Sequence, residues 1–193
     1  MRMILRLFLL IVVACLVFVY TRPDTFHIER STAVAASNET VFAKINDFHE
    51  WTTWSPWEKL DPEMRRTFEG AAAGMGAGYH WVGNKKVGEG RMTIIESEPP
   101  QRIAIRLEFL KPWQATNTAT FVLAQDGAGT RVTWSMDGKN NFMAKAMGIF
   151  MNMDAMIGPD FARGLASLKS QAEAGARETS GAPVDSAQAT PAP

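Results

Sequence analysis

From Met64 to Asp137 the chain alternates apolar and polar residues in six separate runs: 64–70, 78–82, 87–96, 102–109, 115–124 and 131–137. A period of two is the strand period, so each run is expected to be a strand with one buried face. Ile103, Ile105, Leu107 and Phe109 alternate with Arg102, Ala104, Arg106 and Glu108, and Val132, Trp134 and Met136 repeat the pattern. Turn residues separate the runs: Gly74, Gly76 and Gly78, then Gly83-Asn84, Pro99-Pro100, Lys111-Pro112 and Asp126-Gly127. Such a sheet is antiparallel, and it cannot bury its apolar face without a second layer.

That second layer must come from the flanks. Residues 25–34 read as a further strand. Ser37 is a plausible N-cap with Glu39 in the first turn, and Val41, Phe42, Ile45 and Phe48 follow helical spacing. Pro56 and Pro62 mark a loop. After the last strand, residues 142–157 are apolar nearly all round, and Gly158-Pro159 is expected to break or restart the helix. Phe161, Leu165, Leu168 and Ala172 then form one apolar stripe. Residues 175–193 are rich in Ala, Ser, Thr and Pro without aromatics, a composition that favours disorder.

The first 23 residues are different in kind. Residues 7–20 carry no charge, and extending back to Met3 adds only Arg6, whose stem can snorkel. At ~1.5 Å per residue the longer stretch spans roughly 27 Å, enough for a slightly thinned bilayer. Val19-Tyr20-Thr21-Arg22-Pro23 is a poor cleavage site for a signal peptide. Val12-Val13-Ala14-Cys15 resembles a lipobox, but residues 16–20 stay apolar beyond the cysteine. The expectation is an uncleaved single-pass anchor with a cytoplasmic N-terminus, set by Arg2, Arg6 and the free amine, and an extracytoplasmic, periplasmic-type domain. The expected domain boundaries are anchor 1–23, folded domain 24–175 and disordered tail 176–193. Three of the 20 basic residues lie in the first 23, leaving 17 against 20 acids and a net −3 for the rest. That balance argues against nucleic acid as a partner. The single cysteine, Cys15, lies in the apolar run, so the folded part has neither disulfides nor Cys-based zinc sites.

The order is strand, helix, six strands and a long C-terminal helix. It resembles the START-like superfamily, also called SRPBCC, over residues 25–173. The residues that carry the resemblance are Val41-Phe42-Ala43-Lys44-Ile45-Asn46-Asp47-Phe48, Trp51-Thr52-Thr53-Trp54-Ser55-Pro56-Trp57, and Gly129-Thr130-Arg131-Val132-Thr133-Trp134. The resemblance implies an α+β helix-grip fold, a curved seven-stranded antiparallel sheet wrapped around the C-terminal helix. Its members include polyketide cyclases, plant pathogenesis-related lipid binders and lipid-transfer domains, so it fixes no single activity.

Candidate site residues are mostly apolar. Trp51, Trp54 and Trp57, spaced by three, would form an aromatic wall at a cavity mouth or a plug in the core. Met136, Met143, Met147, Met151, Met153 and Met156 crowd one stretch, suited to an adaptable cavity wall, to core filling, or to a surface resting on the membrane. Trp81, Leu107, Phe109, Trp113, Phe121, Trp134, Phe142 and Phe150 complete the apolar candidates. Glu89 and Arg91 share a strand face; they are polar cavity residues if that face is concave and solvated if it is the outer one. His27, His49 and His80 fall in three elements without ligand spacing, so neither a metal nor a cofactor is expected. The glycine clusters at 74–78 and 83–90 read as hairpin turns, because neither is followed by a helix or the lysine of a phosphate loop.

Three functions compete at this point. The first is binding or transfer of a hydrophobic small molecule (a lipid, isoprenoid or polyketide-like compound) in an internal cavity at the membrane surface, with membrane lipid as a partner. The second is an enzyme resembling polyketide cyclases or aromatases, with Arg91, Glu89, His80 and Asp137 as its polar groups. The third is a ligand-free structural or stress protein with a filled core. The sequence assigns no protein partner.

Overall fold

A computed structural model describes residues 2–149 and 152–181. The elements are α1 (Arg2–Tyr20), β1 (Thr25–Val34), α2 (Asn38–Asn46), α3 (Trp51–Trp54), β2 (Arg65–Gly70), β3 (Ala77–Val82), β4 (Glu89–Glu98), β5 (Arg102–Lys111), β6 (Ala115–Asp126), β7 (Gly129–Lys139), α4 (Phe142–Met147) and α5 (Met153–Gly181). The strands form one antiparallel sheet in the order β1-β7-β6-β5-β4-β3-β2. Every connection except that from β1 to β2, which runs through α2 and α3 from one edge of the sheet to the other, is a hairpin, as runs separated by short glycine and proline turns require. The sheet curves around α5, giving the helix-grip architecture.

The local chemistry explains the helices. The Ser37 hydroxyl accepts from the Thr40 N–H at 3.3 Å and caps α2. Nine residues are too few for a stable isolated helix, so α2 depends on burying Val41, Phe42 and Ile45. Its last carbonyls are met by indoles: Trp51 Nε1 donates to Ile45 O at 2.9 Å and Trp54 Nε1 to Lys44 O at 3.0 Å. The tryptophans after α2 therefore finish that helix as well as filling the core. At the start of β7, the buried Thr130 hydroxyl lies 2.8 Å from Ala36 O and 2.7 Å from Asn38 Oδ1, and donates to one at a time.

Two expectations for the C-terminal half change. The helix is not broken at Gly158-Pro159: α5 runs through both. Pro159 forfeits the bond to the Ala155 carbonyl. Gly158 is small for a different reason, since a Cβ there would lie 1.9 Å from Arg30 Nη2. Arg30 grips Asp154 with two bonds of 2.8 and 3.0 Å and holds the start of α5 to β1. Further on, Lys169 Nζ donates to Ala33 O at 2.8 Å and Glu173 Oε1 accepts from the Ala35 N–H at 2.9 Å. The second change is that α5 continues to Gly181, so residues 175–181 are helical where composition favoured disorder. Residues 182–193 lie outside the described residues.

Several elements converge at one end of the sheet. There β1, β2, β4 and β6 begin and β3, β5 and β7 end, so α1, α4 and the turns at 83–88 and 112–114 all meet along one rim.

Candidate functional site

The inner face of the sheet is crossed by rows of side chains set by the strand register. Far from the rim, one row holds Arg30, Trp134, Phe121 and Ile103, and the next holds Ile28, Met136, Ala119, Ile105 and Ile94. Apart from Arg30 all are buried. Trp51 and Trp54 of α3 and Phe161 of α5 press against them. Trp134 stacks on Phe161 with centroids 4.1 Å apart and on Phe121 at 4.8 Å; Trp51 meets Trp54 at 4.6 Å, and Trp57 meets Trp134 edge-on at 5.6 Å. These rings occupy the space between sheet and helix at this level. Such pairs add about 0.5–1.5 kcal/mol each beyond their buried area. The indole N–H of Trp134, at the centre, is buried with no acceptor among the described residues. An orphan donor of that kind costs about 1–3 kcal/mol.

Towards the rim the packing loosens. The row through Phe26, Gly138, Asn117, Leu107, Met92 and Tyr79, and the row through Ala115, Phe109, Gly90 and Trp81, form the mouth of the grip. Phe26, Met92, Leu107 and Phe109 are only half-buried, although they point to the same face as the core above them. Glycine shapes this mouth. A Cβ on Gly90 would lie 2.3 Å from the Trp81 ring, and one on Gly138 would lie 2.4 Å from the Phe26 ring. Both rings can therefore lie flat against the backbone. Asn117, 8% exposed, is the polar residue of the lining; its amide nitrogen is 3.8 Å from Met136 Sδ, a weak acceptor. An apolar wall with one buried amide is the usual make-up of a small-molecule site.

The family profile described as "Polyketide cyclase / dehydrase and lipid transport" matches residues 25–173. The chain belongs to this family. No curated protein matches the sequence. Among solved structures it is similar to SA2116 from Staphylococcus aureus, a protein of unknown function, with a TM-score of 0.58, 11% identity, and coverage of 80% of this chain and 97% of that one. CV1439 from Chromobacterium violaceum gives 0.54 and 15%, covering 78% and 99%. The di-domain ARO/CYC protein StfQ of the steffimycin pathway gives 0.56 and 14%, covering 82% of this chain and 53% of that one. At these identities the likeness is one of fold.

In this member of the polyketide cyclase / dehydrase and lipid transport family, the apolar candidates divide into three groups. Trp51, Trp54, Phe121 and Trp134 are in the closed part, with Trp57 half-buried beside them. Trp81, Leu107 and Phe109 line the mouth. Trp113, Phe142, Met143 and Met147 are exposed on the rim; Met153 and Met156 are exposed at the start of α5, where Asp154 meets Arg30. Phe150 and Met151 lie outside the described residues.

The polar candidates do not face the grip. Glu89 and Arg91 share the outer face with His80 and Glu108, because Gly90 and Met92 take the inward positions. They do not pair with each other. Arg91 bonds Glu108 at 3.1 and 3.2 Å, while Glu89 meets Lys111 at 2.6 Å and His80 at 3.7 Å. The Lys111 ammonium holds the Glu89 carboxyl below its ordinary value. Glu89 helps line a pocket of about 480 Å³ on the outer side of the rim, with Val82, Asn84, Lys85, Lys111 and Pro112. A second pocket of about 320 Å³, at Ala35, Glu173 and Arg177, lies at the opposite end of the sheet. Asp137 faces outward as well and binds His27 at 2.7 Å.

Four functional-looking residues escaped the sequence reading. Phe26 and Met92 follow strand periodicity that was legible, and Asn117 stands alone among the inward positions Ala115, Ala119, Phe121 and Leu123. Glu58 carried no signal, since it lies in an irregular loop. Its carboxylate accepts from Arg66 Nε and from the Tyr79 hydroxyl, both at 2.6 Å. Burial, then the bond to Glu58, pushes the Tyr79 hydroxyl well above its ordinary value of 10.0. The charges of Glu58 and Arg66 offset one another, so this trio braces the sheet edge.

Proposed function

We propose that this domain holds a hydrophobic small molecule of lipid, isoprenoid or polyketide-like type at the mouth of its grip, and that α1 anchors it in a membrane as a single pass. The N-terminus is then cytoplasmic and the domain extracytoplasmic. The observation that carries the reading is the change in burial along one continuous apolar face. Its far rows are sealed by α3 and α5, while Phe26, Met92, Leu107 and Phe109 are left half-covered around Asn117. Apolar surface in a concave site is free energy available to a guest, at about 25 cal/mol per Å² covered. The family's lipid-transport members support a ligand of this class. The anchor rests on 18 consecutive residues, Met3–Tyr20, that are long and apolar enough to cross a bilayer.

A cyclase-like reaction has less support. Arg91, Glu89, His80 and Asp137 all face away from the grip, which leaves no acid or base from that set beside a bound chain. A protein without a ligand is the remaining competitor, and one experiment separates it. Native mass spectrometry of the full chain released from detergent should show an added hydrophobic mass, and Leu107→Trp, which fills the mouth, should remove it. A bare mass for the wild-type chain, or an adduct unchanged in Leu107→Trp, would contradict the proposal.

A further inference from the structure

The rim carries more apolar surface than a water-facing edge should. Trp113 is 81% exposed at the β5–β6 turn, and α4 exposes Phe142, Met143 and Met147 at 51%, 64% and 50%. Scattered exposed hydrophobics are ordinary, but these share one end of the sheet with the end of α1. The junction is a built one. Lys145 of α4, whose side chain is only 9% exposed, donates to Tyr20 O at 3.3 Å, pairs with Asp24 and lies over the Tyr20 ring at 5.6 Å. That single lysine ties α4 to the last turn of the apolar helix. Only 6% of the apolar stretch of α1 is buried, so the helix leaves the domain from this rim.

The charge on the rim has the matching sign. Lys85 and Lys86 lie in the β3–β4 turn, and Lys111 and Lys139 end β5 and β7. The acids Asp24 and Glu89 are each paired with lysine there. This contrasts with the acidic balance of the domain as a whole. Tryptophan with lysine beside exposed Met and Phe is the composition of a surface at the headgroup layer.

We infer that this rim rests on the lipid bilayer that α1 spans, with Trp113 and the α4 side chains Phe142, Met143 and Met147 lodged at headgroup depth. The inference rests on the anchor reading of α1 and is independent of any ligand in the grip. It sets the mouth of the grip beside the bilayer, because Phe26 and Phe109 stand in the two rows next to the rim.

The test uses the full chain in vesicles of phosphatidylcholine and phosphatidylglycerol, with and without bromine on the acyl chains, read by tryptophan fluorescence. Trp113 is the one strongly exposed tryptophan of the six. Brominated lipid should quench a component that Trp113→Phe lacks. The triple change of Phe142, Met143 and Met147 to Ser, with Trp113 intact, should lower that quenching by about twofold or more. These side chains are exposed, so thermal unfolding should stay unchanged and certify the fold. Equal quenching of wild type and Trp113→Phe, with the chain still held by the vesicles after an alkaline wash, overturns the inference and leaves the anchor standing. Release of the chain by that wash overturns both.

Discussion

The far and near halves of the grip are made by the same strands, yet they are packed by different rules. In the far half, Trp134, Phe121, Trp51, Trp54 and Phe161 bury one another ring against ring. In the near half, Phe26, Met92, Leu107 and Phe109 continue the same alternation but are only partly buried. The difference comes from what crosses the sheet. α2, α3 and α5 cover the far rows, whereas the chain between β7 and α5 turns aside at α4 to meet α1. Stability is thus concentrated where the aromatics interlock, and half-covered apolar surface is left where they do not.

The largest contrast should appear when one ring is removed from each end. Trp54→Ala empties a buried site that also caps α2, and is expected to cost about 3–5 kcal/mol. Trp113→Ala on the rim should leave stability within about 0.5 kcal/mol. Chemical denaturation checks both, and similar losses would erase the distinction between the halves.

A smaller effect tests how tightly the far half is filled. A Cβ on Gly164 would lie 2.7 Å from Trp134 Cζ3 and 3.0 Å from Pro56 Cδ. Gly164→Ala should therefore cost about 1–3 kcal/mol by overpacking. A stabilised Gly164→Ala protein would reveal slack between α5 and the rings beneath it.

Within the aromatic cluster, two indoles differ by one hydrogen bond. Trp51 donates to Ile45 O and Trp134 donates to no acceptor among the described residues. Trp51→Phe should be more destabilising than Trp134→Phe by about 1 kcal/mol, because only the first change leaves a buried carbonyl short of its partner. The reverse order in thermal melts would show that the Trp134 N–H is satisfied after all.

The smallest effect concerns the outer face. The hydrogen bond that His27 Nδ1–H donates to the Asp137 carboxylate raises the His27 pKa above its ordinary 6.5. With the folded value raised, the stabilisation is fully present below about pH 6.5 and is lost as pH rises through the folded value. NMR titration should place His27 above 6.5, and Asp137→Asn should bring it back. An unchanged titration in that variant would separate the two groups.

Much of this architecture was legible in the chain because it depends on period. All seven strands, the Ser37 cap and the apolar stripe of α5 follow from alternation, spacing and capping chemistry. What depends on tertiary contact was not. Gly158-Pro159 reads as a break, yet Arg30 needs the glycine's space and the helix tolerates the proline. Trp51 and Trp54 read as wall or plug, and their capping of α2 carbonyls is visible only in three dimensions. Glu89 and Arg91 share a face, as spacing required, but which face is inward is settled by Tyr79, Trp81, Gly90 and Met92. The mouth was the least legible part, since half-burial leaves no mark on alternation. Asn117 was its one available clue.

Function turns on whether an apolar guest sits at the near rows. The most direct measurement is photolabelling of the full chain in membranes with a diazirine-bearing hydrophobic probe, followed by mapping of the labelled residues. Label on Phe26, Met92, Leu107 and Phe109, diminished in Leu107→Trp, is the expected result. Label confined to α1 and the rim, with none on the inner face of β4 and β5, would contradict it.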